Sequence, residues 1–257
     1  MVNKFNLAKK LLKIGFIGIG VTFILTGCTT KLAMKVEEGT SNYNFETSVK
    51  KEKQTSLVIG IVDSNIASGK ANSRLAELSK ALSVGLTEII TRKGFKLKGP
   101  YEAFDDITYR DKKMIYLAIV PKMEINIGRT IQNRQNHKLY YHEDGIINMS
   151  GSLILSVDEP MTGQTFIKKR ISLDNLNIQE PYIFEKQTSY GDGSIIGKAL
   201  DSLDADKVLQ NNVEAAQARA LSKFYKNAMS KIETYLDREE MISFKEDILK
   251  LKGLKRF

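Results

Sequence analysis

Between Ile147 and Val157 the chain alternates. Ile147, Met149, Leu153, Leu155 and Val157 fall on one side, and Asn148, Ser150, Ser152 and Ser156 on the other. A period of two fits an extended strand with one buried and one open face, and it excludes a helix at that place. A second run, Thr165–Leu173, follows across Glu159-Pro160-Met161-Thr162-Gly163, whose residue types suit a tight turn. The two strands are therefore predicted to form an antiparallel hairpin. Upstream, Met114–Ile127 alternates in its second half, with Met123, Ile125 and Ile127 opposite Lys122, Glu124 and Asn126. Pro121 within it predicts a bulge or an edge position, because proline has no N–H for the ladder. The unbroken apolar run Leu57–Val62 reads as a buried strand, and Phe95–Lys98 as a short one.

Helical spacing appears in three places. Leu75, Leu78, Leu82, Leu86 and Ile89 stripe one face of Ala71–Lys93, with Gly94 as a C-cap. Leu209, Val213, Ala216, Ala220, Phe224, Ala228 and Ile232 stripe Lys207–Tyr235. Met241, Phe244, Ile248 and Leu251 stripe Glu239–Leu251, where Lys250, Lys252, Lys255 and Arg256 favour the helix dipole. Asn175–Asp206 reads as an irregular surface loop. The expected fold class is α+β: an antiparallel sheet with amphipathic helices packed mainly on one face, preceded by a lipoprotein signal peptide.

That leader is the sharpest motif. Lys4, Lys9, Lys10 and Lys13 form a positive n-region, and Ile14–Leu25 is uncharged and too short to span a bilayer. Leu25-Thr26-Gly27-Cys28 then fits a lipobox, in which Cys28 takes the diacylglyceryl group. Each acyl methylene buried in lipid contributes about 0.8 kcal/mol, so two or three long chains hold the protein to the membrane. Cys28 is the sole cysteine, which rules out a disulfide within the chain. Thr29 stands where aspartate would retain an enteric lipoprotein in the inner membrane, so outer-membrane delivery is expected. The predicted organisation is a signal peptide over 1–27, a polar lipid-anchored tether over 28–56 that lets the domain stand off the lipid surface, and an α+β domain over 57–257.

Removing the four leader lysines, in a segment without acids, takes the formal charge from +9 to +5. That is short of a nucleic-acid binder's basic stripe, so no nucleic-acid partner is expected. No nucleophile elbow, zinc-protease motif or cysteine nucleophile occurs, and the chain reads as a non-enzyme without cofactors. Gly191–Lys198 fails as a phosphate loop because Asp192 and Ala199 occupy positions that need Gly and Ser or Thr. The two histidines, His137 and His142, are spaced for neither a helical nor a strand face, so no metal site is predicted.

The most unusual segment is Gly128–Gly145. It carries Arg129, Arg134, His137, Lys138, Tyr140, Tyr141 and His142 before Glu143 and Asp144. A guanidinium can grip a carboxylate bidentately, and amides with a tyrosine face suit a sugar ring. The plain alternative is a solvated hairpin arm.

Arg129-Thr130-Ile131-Gln132, Glu159-Pro160-Met161-Thr162-Gly163, Leu176-Asn177-Ile178-Gln179-Glu180 and Leu251-Lys252-Gly253 together resemble the neuraminyllactose-binding hemagglutinin family, the Helicobacter flagellar-sheath adhesin lipoproteins. The resemblance covers roughly Ile115 to the C-terminus, and it includes the lipobox. It implies an adhesin of the outer membrane, flagellar sheath or cell surface whose partners are the membrane and host sialylated glycans. The family's sialic-acid motif, Lys-Arg-Thr-Ile-Gln-Lys, reads Gly128-Arg129-Thr130-Ile131-Gln132-Asn133 here, with Arg134 one place later. The resemblance thus implies a ligand set of Arg129, Thr130, Ile131, Gln132 and Arg134. The rival class is an accessory lipoprotein of envelope or flagellar-sheath assembly that binds a protein partner.

Overall fold

In the computed structural model, the described residues are 35–66, 73–137, 140–187 and 208–254. The signal peptide, Cys28 and the Gly191–Lys198 stretch lie outside them. The described residues form one sheet in the order β1-β9-β8-β6-β5-β2-β4, with β3 also paired to β5 and β7 to β6. The strands are β1 (Lys35–Val36), β2 (Val58–Val62), β3 (Asn65–Ile66), β4 (Lys96–Tyr101), β5 (Leu117–Asn136), β6 (Tyr140–Asp158), β7 (Thr165–Ser172), β8 (Gln179–Gln187) and β9 (Val208–Asn211). The helices are α1 (Ser73–Arg92), α2 (Tyr109–Met114), α3 (Val213–Tyr235), α4 (Arg238–Ser243) and α5 (Lys245–Leu254). The class is α+β as predicted, and the sheet is mixed. The hairpins are antiparallel, but β2 pairs parallel to both β4 and β5, with α1 as the crossover.

Helices α1 and α3 pack side by side on one face, α1 over β2, β3 and β4, and α3 over β6, β7 and β8. The predicted stripes are the buried ones: Leu75, Leu78, Leu82, Leu86 and Ile89 of α1, and Ala216, Ala220, Phe224, Ala228 and Ile232 of α3. Opposite them lie Ile59, Ile61, Leu117, Ile119, Met123, Leu153, Leu155 and Val157. A smaller cluster of Val62, Ile107, Ile115, Ala118 and Val120 occupies the other face. That explains the unbroken apolar run in β2: both of its faces are covered.

Pro121 is not at a bulge, but β5 has no strand partner beside it on one side. It pairs with Leu155 of β6 in an unshifted register, in the gap where β5 changes parallel partner. The pairing of β2 with β5 ends at Ile61↔Ile119, and β3 begins opposite Lys122. Strand β6 also changes partner along its length. Its C-terminal half pairs with β7, which confirms the predicted hairpin, and its N-terminal half pairs with β8. At the changeover Gly151 has φ +114°, and a Cβ there would lie 2.0 Å from the Glu124 carbonyl oxygen, so only glycine fits. The hairpin turn is held by Glu159, fully buried, whose carboxylate accepts from the Met161 and Thr162 N–H groups at 2.9 and 2.7 Å.

Four further sequence expectations change. Residues 179–187, read as loop, form β8. Residues 208–211, read as helix, form β9. The last predicted helix is two, α4 and α5, meeting at Phe244. The fourth change concerns the tether. Val36 already pairs with Asn211, and residues 39–55 lie along the helices. Gly39 sits on the start of α3, where a Cβ would meet the Glu214 carbonyl oxygen at 2.3 Å. The Asn42 N–H donates to Ser222 Oγ at 2.8 Å, and Tyr43 meets Tyr225 edge-on at 5.4 Å. The Glu52 and Thr55 N–H groups reach the Arg92 and Gly94 carbonyls at the end of α1, both at 2.7 Å. The polar stretch docks through backbone hydrogen bonds together with Tyr43 and Phe45, which pack against the core.

Candidate functional site

The described residues of the Gly128–Gly145 segment lie almost entirely in β5 and β6. β5 and β6 run through it as a ladder up to Asn136↔Tyr141, and β8 flanks β6 on its other side. One irregularity decides which side chains share a face. The register shifts between Ile131 and Asn133, which leaves Gln132 as an extra residue and puts Arg134 opposite Glu143. Without that bulge Asn133 would stand there and Arg134 would point the other way.

Glu143 is the hub of the resulting cluster. Its side chain is 3% exposed, while those of Arg129 and Arg134 are 41% and 55% exposed. Oε1 accepts from Arg129 and from the Tyr182 hydroxyl, the latter at 2.9 Å. Oε2 accepts from Tyr141 and from Arg134, the latter at 3.3 Å. Four donors fill a carboxylate's lone-pair sites. Burial works to raise the Glu143 pKa, but the bonds from Tyr141, Tyr182 and Arg129 outweigh it and hold the pKa at about 2. The Tyr182 ring lies across β6 at Gly145, where a Cβ would fall 2.8 Å from its hydroxyl and 2.2 Å from the Thr130 carbonyl oxygen. Arg129 stacks on that ring, 4.8 Å from its centroid. Two guanidiniums against one carboxylate leave one uncompensated positive charge, carried by half-exposed side chains.

The other face is built differently. His142 Nδ1 lies 2.7 Å from Glu185, and Nε2 lies 3.2 Å from Asp144. Its pKa is raised, first by the bond to Glu185 and also by Asp144, against the opposing effect of burial. Asn133 donates to Asp144 at 3.0 Å, and Asn148 donates to the Thr130 hydroxyl at 2.9 Å. The arm therefore shows cations on one face and acids with an imidazole on the other.

The five residues of the implied ligand set are thus not brought together. Arg129, Ile131 and Arg134 share the face of Glu143, Thr130 bonds on the opposite face, and Gln132 sits at the bulge. Tyr182 was missed by sequence reasoning, and Tyr141 and Glu143 were noted in the segment but left out of the ligand set. The available signal was parity: Tyr141, Glu143, Gly145 and Ile147 continue the inward series of β6. Among the described residues no group of three His, Cys, Asp or Glu side chains is placed to hold a metal ion, and no helix is long and apolar enough to cross a membrane.

The family profile described as "Neuraminyllactose-binding hemagglutinin precursor" matches residues 25–255. A neuraminyllactose-binding hemagglutinin of Helicobacter pylori strain 26695 is 23% identical over 253 residues, covering 92% of each chain. That of strain J99 is 22% identical over 254 residues, covering 93% of each. The crystal structure of a neuraminyllactose-binding hemagglutinin homolog from Helicobacter pylori superposes with a TM-score of 0.57 at 16% identity. It spans 80% of this chain and 98% of the other, which shows a shared fold.

Proposed function

Because the chain belongs to the neuraminyllactose-binding hemagglutinin family, we propose that it is an outer-membrane lipoprotein, anchored at Cys28, that acts as an adhesin for sialylated glycans through its β5–β6 arm. The observation that carries the sugar reading is the residual positive charge at Arg129 and Arg134. Glu143 bonds both guanidiniums and the Tyr182 ring lies under that of Arg129, while part of each stays open to solvent, and a sialic acid presents one carboxylate. Preorganisation of this kind lowers the ordering cost of binding. A single exposed arginine–carboxylate pair still contributes under about 1 kcal/mol. Monomeric affinity is therefore expected to be no tighter than about 1 mM, or −4 kcal/mol, with attachment arising from many copies on one surface.

Multivalent sialyllactose should bind bead-coupled protein and be lost with Arg129→Ala or Arg134→Ala. Equal binding by wild type and variants, or none by the wild type, removes the sugar role from this arm and favours the accessory-lipoprotein reading. For the anchor, Cys28→Ser should leave the protein in the aqueous phase on detergent partition. A wild-type intact mass without an acyl adduct overturns that reading.

A further inference from the structure

The run Lys168-Lys169-Arg170 of β7 is divided by the alternation of the strand. Lys169 turns to the helix side, where its Nζ lies 5.9 Å from the Tyr235 ring centroid. Lys168 and Arg170 turn to the opposite face, and both are exposed. Register brings a third cation to them. Ile154 of β6 pairs with Arg170 on one side and with Lys122 of β5 on the other. Ser156, the next outward residue of β6, pairs with Lys168 and with Val120. Val120 belongs to the smaller apolar cluster, so this is the face away from α1 and α3. Lys122 is exposed as well, whereas Ile154 and Ser156 are half-buried and form a shallow floor between the cations. Two interstrand spacings separate Lys122 from Arg170, about 9.6 Å, and two residues of strand separate Lys168 from Arg170, about 6.8 Å.

Arg129, Arg134, Arg219 and Lys223 are all held by buried acids, but Lys122, Lys168 and Arg170 form no ion pair among the described residues. Two acids share their face. Asp158 feels Lys122 and Lys168, but burial prevails and raises its pKa. Glu124 is exposed two residues beyond Lys122, on the side away from Lys168. Positive charge is therefore in excess over the floor of Ile154 and Ser156. We propose that this patch is a second glycan site, which binds the sulfate groups of a sulfated polysaccharide. It is separate from the β5–β6 arm and does not depend on sugar binding there. Ammonium and guanidinium groups donate charge-assisted hydrogen bonds to anionic oxygens. One exposed pair of this kind is weak, but a repeating polyanion brings successive groups to the same three cations. The floor offers no buried aromatic anchor of the kind that centres a protein interface. Three cations also fall short of the basic stripe that a nucleic acid requires.

The test titrates full-length protein in neutral detergent with a fluorescent heparin oligosaccharide and reads anisotropy at low and at physiological salt. The triple variant Lys122→Ala, Lys168→Ala, Arg170→Ala should bind about tenfold more weakly or worse, with a shallower dependence on salt. All three positions are exposed, so its urea midpoint should match that of the wild type. Lys122→Arg with Lys168→Arg keeps the charge and should keep the binding. Arg129→Ala with Arg134→Ala should bind heparin as the wild type does. The chemically desulfated oligosaccharide should bind several-fold more weakly than the sulfated one. Equal binding of the two oligosaccharides overturns the assignment to sulfate, and equal binding of a single-stranded oligonucleotide of the same charge overturns the assignment to a polysaccharide. No binding by the wild type, undiminished binding by the triple variant, or loss in the arm variant overturns the site. None of these results bears on sialyllactose binding by the arm, which its own variants decide.

Discussion

Leu155→Ala is expected to lower the unfolding free energy by about 2–5 kcal/mol, the range for deleting a buried leucine side chain. Leu155 is fully buried in the main core, facing the helices, opposite Pro121 on β5 and Lys169 on β7. Three strands and a helix layer enclose it, so the cavity has little room to collapse and the cost should fall in the upper part of that range. Ser152→Ala is the matched control. Ser152 was expected to face solvent; it is 1% exposed, because β7 and β5 flank it at Ser172 and Glu124. Its replacement removes one hydroxyl and no carbon, so about 1 kcal/mol or less is expected. Urea unfolding at equal m-value reads both. If the two midpoints shift alike, Leu155 does not occupy the core position the register gives it.

The contrast shows which parts of this fold a sequence displays. β6, α1 and α3 bury one face of a regular element, so a two- or near-four-residue period marks them directly. β8 escapes that test because its inward positions include Glu180. That acid is 4% exposed and is tolerated only because Arg219, at 2.9 Å, and Lys223 reach it from α3, some forty residues later. Pro181 beside it adds a second signal against a strand. β9 escapes for the opposite reason: Leu209 and Val213 are four apart, so the helical stripe extends smoothly over residues that in fact pair with β8. The candidate site fails in a third way. Arg129 and Arg134 are five apart, and an unbulged strand would put them on opposite faces. One extra residue in β5 turns both toward an acid of β6, and a tyrosine of β8 completes the cluster. The chemistry was visible as residue types, whereas their grouping is a property of strand register.

Glu143→Gln is expected to cost about 2–3 kcal/mol near neutral pH, the scale of hydrogen bonds to a charged group. The amide keeps the shape of the side chain. It removes the charge that holds two guanidiniums together, and it replaces one acceptor oxygen with a donor that faces an arginine or a tyrosine hydroxyl. The pH dependence identifies the cause. The Glu143 pKa is about 2 in the folded protein against an ordinary 4.5. A depressed carboxyl stabilises fully above the unfolded value and loses that contribution as pH falls through the folded one. The window therefore runs from about 4.5 down to about 2, and linkage bounds the contribution at about 3 kcal/mol. Wild type and Glu143→Gln should differ most above pH 5 and converge progressively towards pH 2. Tyr182→Phe removes one donor of four and should cost less, about 1 kcal/mol, with a narrower window. A gap between wild type and Glu143→Gln that stays constant from pH 5 to pH 2 means that lost packing, and not the buried charge, accounts for the difference. The arginines would then be held in place by something other than Glu143.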